Sequence, residues 1–515
     1  MTNKKGRPPI GSRVWPVRPV ALTSASAGTL MVAMAAELLA IDLGTSSVKV
    51  GVFGGDGRLV RFARRGYALV QVAGDVAEAD PEQWWSATAD ALREAVSQLD
   101  LGHVRAVCVG GQGPTLVLVD AHGRPVRPAL TWMDARSIPQ GTRLAELLGS
   151  PGAAFSLVPR LLWVTENEPR AIERARWALG AWDFIAARLA GGQTPAASSF
   201  AGDAVWRRDL LAAAGLSNSP LIPQEVDSGV AYARTAGARS QAAGLPDGIP
   251  IVGGMNDGHG SIVGAGGSVV GRATDPGGAA GGLALCWHEP LSAPGVDCWA
   301  GLVPGTYIIG GAFVAGGRAM DWWADVSTHG DLEQALALAR SAPAGAGGLV
   351  CLPFLAGERS PLWDPTARGA ILGLTFAHQA RHLARAVLES TAYQLRLLSE
   401  AILSLGTRID ELRVCGGQAQ NRLWNQIKAD VMGMPVSVPR LTEVALMGGA
   451  ICAAVGAGLY PDLATAGEAM VQIGEVLEPN SAHREVYDEL FGIYRDAYPA
   501  LKPLFGPLGH AAALG

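Results

Sequence analysis

Two acids in this chain stand where a carboxylate could do chemistry. Asp42 opens the run Asp42-Leu43-Gly44-Thr45-Ser46-Ser47. A tight turn there offers backbone N–H and hydroxyl donors to a phosphate, and the carboxylate can attract Mg²⁺ directly or through water. An ordinary hairpin with an Asp would look alike. Asp257 lies in Gly253-Gly254-Met255-Asn256-Asp257-Gly258-His259-Gly260, just past an apolar run and framed by glycines that add no bulk. That setting suits a carboxylate that must touch a substrate and take the proton of a hydroxyl during phosphoryl transfer. The plainer alternative for Asp257 is a cap on the following helix; His259 either tunes that acid or serves as a local hydrogen-bond donor. Two glycine loops add candidate phosphate cradles: Asp275-Pro276-Gly277-Gly278-Ala279-Ala280-Gly281-Gly282, and Cys415-Gly416-Gly417-Gln418-Ala419-Gln420-Asn421, which joins an apolar strand to a helix start.

The common nucleotide signatures are absent. No Gly-Lys dipeptide occurs, so there is no Walker A motif, and no G-x-G-x-x-G opens a helix after a strand. The cysteines Cys108, Cys286, Cys298, Cys351, Cys415 and Cys452 show no C-x-x-C pair and no metal-ligand spacing. They read as reduced, buried small hydrophobes of a cytoplasmic protein. With 49% hydrophobic and 17% charged residues, the chain is compact and not intrinsically disordered. Its formal charge of -5 argues against nucleic acid or a membrane surface as the main partner. No 18-residue apolar run exists to span a bilayer.

The elements that must position these residues can be placed from pattern. Leu38 to Leu43 and Val48 to Phe53 read as a hairpin carrying Asp42 at its tip. Pro81 to Leu99 reads as an amphipathic helix with Asp80 as N-cap. Val104 to Val109, Thr115 to Asp120 and Ile249 to Gly253 read as strands; Arg170 to Leu189 and Arg208 to Ala214 read as helical. In the second half, Leu283 to Cys286, Leu302 to Ile309, Leu349 to Phe354 and Glu411 to Val414 read as strands, and His382 to Leu405 and Asn421 to Met432 as helices. At 515 residues, two large α/β domains are the economical division, with ligands expected between them. Residues 1–36, basic and then rich in small residues, read as an extension without a fold of its own, translation starting at Met31 or Met34.

Taken together these residues resemble the FGGY carbohydrate kinases of the actin/hexokinase-like ATPase superfamily, and most closely their xylulokinase branch. The resemblance runs from about Leu38 to Phe505. Its tightest stretch is Gly369-Ala-Ile-Leu-Gly373-Leu374, then His382-Leu383, then Ala386-Val387-Leu388-Glu389. Further matches are Asp42 to Lys49, Gly74 to Trp85, Trp132-Met133-Asp134-Ala135-Arg136, Leu352 to Pro361 and Tyr494 to Lys502. The resemblance implies two ribonuclease H-like ATPase domains, 37–268 for sugar and 269–510 for ATP, with a cleft between them. It implies Asp257 as the base, and Asp42 with Asp257 as Mg²⁺ ligands. Thr45, Ser46, Lys49, Gly277, Gly278, Gly281, Gly416, Gly417 and Asn421 would address ATP, and Gln112, Gly113, Pro114, Thr115 and Trp132, with Asp257, the sugar. Homodimers are common in the family, and one is open to this chain.

The expected reaction is ATP-dependent phosphorylation of a free ketopentose such as xylulose, or a related ketose. Two departures keep alternatives open. Gln112-Gly113-Pro114 stands where xylulokinases usually carry Gln-Met-His, which brings in a polyol of the erythritol or ribitol sort. Ala279-Ala280 stands where Thr-Ser is common, which brings in a sugar- and ATP-binding regulator without turnover. Glu358-Arg359 is expected to be a structural ion pair, and Glu389 to fix packing. All of this requires Asp42 and Asp257 to meet in one crevice.

Overall fold

Successive residues of the first strand, Glu37–Leu43, face opposite hydrophobic clusters. Leu39, Ile41 and Leu43 pack in one, Leu38 and Ala40 in another. A strand buried on both faces must be covered on both, and that demand organises the whole molecule. The computed structural model describes residues 37–68, 70–71, 74–148, 156–199 and 206–512; the extension expected at 1–36 lies outside them.

The strand belongs to a six-stranded sheet in the order Ala231–Arg234, Pro250–Val252, Val104–Gly111, Glu37–Leu43, Ser47–Gly54, Leu59–Gly66. The last three form an antiparallel meander, and Glu37–Leu43, Val104–Gly111 and Pro250–Val252 run parallel. A second, seven-stranded sheet repeats the plan. Arg272–Asp275, Gly281–Trp287 and Tyr307–Phe313 make its meander, and Arg272–Asp275, Glu411–Val414 and Val436–Pro439 its parallel run. Each parallel run ends in an antiparallel edge strand, Ala231–Arg234 in one and Ile473–Leu477 in the other. This is the two-domain actin/hexokinase-like fold.

Helices close the faces. Pro81–Ala95, capped by the Asp80 side chain on the Glu82 amide at 2.9 Å, turns Trp84, Ala91 and Leu92 inward on one face of the first sheet. The other face is covered by Val444–Gly456, a helix from the far end of the chain. A five-stranded sheet, in the order Val70–Gln71, Ala77–Ala79, Ala129–Leu130, Leu116–Val119, Trp177–Gly180, flanks the first lobe.

Two expected elements differ. The helix expected over Arg170 to Leu189 is broken into Pro169–Arg174 and Ala181–Leu189 by the strand Trp177–Gly180, which pairs antiparallel with Leu116–Val119. A short apolar run ending in glycine carries no period of its own, and sheet pairing decides it. The strand expected at Leu302 to Ile309 lies at Tyr307–Phe313, because Pro304-Gly305 makes a turn closed by the Thr306 amide on the Val303 carbonyl at 3.0 Å. Among the described residues no helix is long and apolar enough to cross a membrane.

Candidate active site

Sheet register brings the first-lobe residues to one edge. Asp42, near the end of its strand, pairs with Gly110, and the next residue, Gly111, bridges to Asn256. Three chain segments thus end side by side, with Asp42 and Asp257 on segments about 10 Å apart, two strand spacings. Such carboxyl ends are where open α/β sheets bind ligands.

Asp257 opens the helix Asp257–Gly264 but does not cap it. Asn256 is the N-cap, its Oδ1 accepting from the His259 amide at 2.9 Å. The Asp257 carboxylate is half-buried, and its Oδ1 accepts from the Gly258 amide at 2.9 Å. Burial raises its pKa to about 7, the negative Asp42 nearby pushes the same way, and Gly258 and Lys49 oppose. His259 is partly buried; the desolvation of its ring depresses its pKa to about 3, so the imidazole is neutral, its Nδ1 2.9 Å from Asn256 Oδ1.

Asp42 lies deeper than a turn-tip acid is expected to, only 6% exposed, because Tyr67, Lys49 and Glu443 surround it. Its pKa rises to about 6, through burial first; Lys49, 3.8 Å from Oδ2, lowers it and Glu443 raises it. Oδ1 is buried without a hydrogen-bond partner in the protein. A bare carboxylate oxygen is costly to bury, and a cation is the natural complement. Among the described residues no three His, Cys, Asp or Glu cluster to hold a metal. Mg²⁺ suits such a place, since it keeps waters and substrate phosphate oxygens and needs only one or two protein carboxylates. Lys49 stands directly across the hairpin from Asp42 and pairs at 2.5 Å with Glu443, which immediately precedes the helix Val444–Gly456.

The expected sugar residues gather beside this edge. The Gln112 amide donates to the Leu43 carbonyl at 2.7 Å, and its side chain to the Gly44 carbonyl at 3.1 Å. The Trp132 indole donates to Thr45 Oγ1 at 3.0 Å, and the Trp132 amide to Thr115 Oγ1 at 3.1 Å, while the residue stays 46% exposed. Trp132 therefore ties the two sets of expected contacts together. Gly113 and Pro114 are joined by a cis peptide bond. A Cβ at 113 would lie 2.8 Å from Cζ3 of Trp182 and 3.3 Å from Cβ of Asn256. Trp182, which sequence reading missed, fills the space a side chain at 113 would need. Arg136 is committed elsewhere: its guanidinium pairs with Asp134 at 2.7 Å and Glu78 at 2.6 Å.

The second set lies on the other sheet. Gly277 and Gly416 press backbone against backbone: a Cβ on Gly277 would lie 2.0 Å from the Cys415 carbonyl oxygen, and one on Gly416 2.3 Å from that of Pro276. Both also have positive φ, so a side chain there would be strained as well as obstructed. The amides of Gly316 and Gly317, leading into the helix Gly317–Thr328, donate to the carbonyls of Ala279 and Gly278, fixing the loop that ends at Gly281. Gly417 begins a short turn, and Asn421 caps the helix Arg422–Met432 by accepting from the Trp424 amide at 3.0 Å. Sequence reading also missed Lys428, buried behind both loops.

Glu358 takes its hydrogen bonds from the Val314 amide at 2.9 Å, the Arg359 amide at 2.7 Å and the Gln394 side chain; burial raises its pKa to about 7. Glu389 is structural, held by Arg385 at 2.6 Å and Tyr487 at 2.8 Å.

The chain is similar to known proteins over most of its length. Residues 38–264 match the N-terminal domain of the FGGY family of carbohydrate kinases, and residues 286–457 its C-terminal domain. The chain is 27% identical over 490 residues to a xylulose kinase of Staphylococcus epidermidis, spanning 92% of this chain and 98% of that protein. It is 30% identical over 469 residues to a glycerol kinase of Methylibium petroleiphilum, 82% of this chain and 91% of that one. The crystal structure of a xylulose kinase from Rhodospirillum rubrum, 28% identical, superposes with a TM-score of 0.79 over 91% of this chain and all of that one. The chain is a carbohydrate kinase and belongs to the FGGY family.

Proposed function

We propose that this kinase transfers the γ-phosphoryl group of ATP to a hydroxyl of a small free ketose, a ketopentose of the xylulose kind, with Asp257 as general base. The observation that carries this reading is Asp257 itself: a half-buried carboxylate, raised to about 7 by burial and by Asp42, at the carboxyl edge of the sheet. A base so poised is ionised in useful amount at neutral pH yet strong enough to accept a hydroxyl proton. Asp257 takes that proton, the freed oxygen attacks the γ-phosphorus, and the bond to the β-γ bridging oxygen breaks, leaving ADP. Asp42, with its unpartnered Oδ1, and Asp257 are the residues that would hold Mg²⁺, which when bound neutralises charge on the phosphate oxygens. Thr45 accepts from Trp132 and keeps its own O–H to donate toward phosphate. Ser46 is exposed beside it, and Lys49 adds positive charge. Gly277, Gly278 and Gly281 supply backbone to the phosphates; Gly416, Gly417 and Asn421 line the adenosine side. Trp132 faces the sugar with Gly113 and Pro114 beside it, while Gln112 and Thr115, expected to touch the sugar, are fully buried and hold that wall in place through Gly44 and the Trp132 amide.

A second reading, a polyol as acceptor, is favoured by Gly113-Pro114, which offer a ketose no polar side chain, and by the 30% identity to a glycerol kinase. ADP release over a panel of ketopentoses, ketohexoses, glycerol, erythritol and ribitol tests both. Ketose-dependent release supports the first; release only with polyols replaces it with the second; release independent of every acceptor overturns both and leaves a regulator.

A further inference from the structure

The second phosphate loop has no hydroxyl: Ala279-Ala280 stand in its centre. What holds it is behind it. Lys428, in the middle of the helix Arg422–Met432, is 1% exposed, and its ammonium donates to Asp275 Oδ2 at 2.6 Å and to Gln418 Oε1 at 2.8 Å. Each partner reaches onward into a glycine loop. Asp275 Oδ1 accepts from the Gly277 amide at 2.9 Å; Gln418 Nε2 donates to the Gly278 carbonyl at 2.9 Å, and the Gln418 amide to the Gly277 carbonyl at 3.0 Å. One buried cation therefore sits at the junction of two loops from segments about 140 residues apart in the chain.

The internal repeat sharpens the point. Asp275 ends the first strand of the second sheet, much as Asp42 lies near the end of the first strand of the first. Asp42 keeps one oxygen without a partner, with Lys49 at 3.8 Å from the other. Asp275 spends one oxygen on Gly277 and the other on Lys428. The same fold position supplies a carboxylate able to meet a ligand in one lobe and a locked strut in the other.

We propose that Lys428 is a positioning residue for the nucleotide: through Asp275 and Gln418 it fixes the Gly277–Gly281 loop to the Gly416–Gly417 loop, so that the two present one preformed cradle for the phosphates and adenosine of ATP. Backbone donors work only as well as they are aimed, and a loop without hydroxyls depends on that aim entirely. The proposal rests on the placing of ATP at these loops given above.

Three variants test it: Lys428→Met, Lys428→Met with Asp275→Asn, and Gln418→Ala. Each is followed by thermal melting, by ADP titration calorimetry, and by separate KM values for ATP and for the acceptor. Lys428→Met alone strands a buried carboxylate and is expected to melt lower. The double variant removes both charges and is expected to regain the melting temperature while binding ADP about tenfold more weakly, the usual size of one lost charge-assisted hydrogen bond. KM for ATP rises alike and KM for the acceptor does not move. Gln418→Ala, which unpairs no charge, is expected to weaken ADP in the same direction. A double variant, or Gln418→Ala, that melts like the parent and binds ADP unchanged overturns the proposal, since the pair is then structural only. If the double variant does not fold, Gln418→Ala alone decides. A folded parent that binds no ADP overturns this proposal together with the reading beneath it, whereas a parent that turns over with insensitive variants overturns this one alone.

Discussion

Asp257 can be asked directly whether it is the base. Asp257→Asn keeps the shape and removes the proton acceptor, so kcat is expected to fall by roughly 10²- to 10⁴-fold while ADP affinity measured without Mg²⁺ stays unchanged; single-turnover kinetics beside calorimetry reads both. The sign of the pH dependence follows from the raised pKa. Below about 7 the free carboxyl is protonated and cannot accept a proton, so kcat/KM should rise with pH, about tenfold per unit, and level off above 7 to 8. Asp42 is raised to about 6, so the acid limb belongs to the pair and steepens below that pH. A pH-independent kcat/KM between 5.5 and 8 would remove Asp257 from the role. Gly113 is a second residue-scale test. A methionine there meets Trp182 from its first side-chain carbon, so Gly113→Met should raise the acceptor KM and spare the ATP KM, and Trp182→Ala in the same chain should relieve the clash. Neither residue type announces this; the closeness of 113 to 182 exists only after folding.

Helices carry the next scale. Asp257–Gly264, which begins with the candidate base, crosses Val444–Gly456, which Glu443 leads into toward Lys49. The crossing is made by glycines. A Cβ on Gly264 would lie 1.7 Å from the Val444 carbonyl oxygen, and one on Gly448 2.2 Å from that of Gly260. Both obstacles are backbone and cannot step aside. Gly264→Ala is expected to cost at least the roughly 1–3 kcal/mol typical of overpacking and to shift the Asp257 helix, so chemical denaturation should show a lower midpoint and turnover should fall with it. A variant as stable and active as the parent would mean the two helices are not held this closely. From sequence, Gly264 was legible only as one more glycine in a glycine-rich stretch.

At the scale of the molecule, the first sheet is completed from the far end of the chain. Leu38, Ala40, Phe53, Ala106 and Cys108 share a cluster with Leu446, Ile451 and Ala453, and with Ala284, Cys286 and Ile308 of the second sheet. A fragment of residues 37–264 would leave that face bare. It is expected to bind a hydrophobic dye and aggregate, while the full chain melts in one calorimetric transition. Two well-separated transitions would show that the lobes do not share a core. The amino-acid sequence by itself determined the chemistry-bearing types and their local setting: the hairpin around Asp42, the Asp80 cap, the glycine loops, the helix after Asn421 and the strand Glu411–Val414, because turn residues, caps and apolar period act over a few neighbours. It also fixed the family, through short motifs in order. Only the tertiary structure decided that Asn256 and not Asp257 caps its helix, that Trp177–Gly180 is a strand, that Trp182 occupies the room at Gly113, and that Lys428 joins two loops. Those outcomes are set by pairing and close approach between segments far apart in the chain, or by which of two neighbouring side chains turns inward, and no local pattern encodes them.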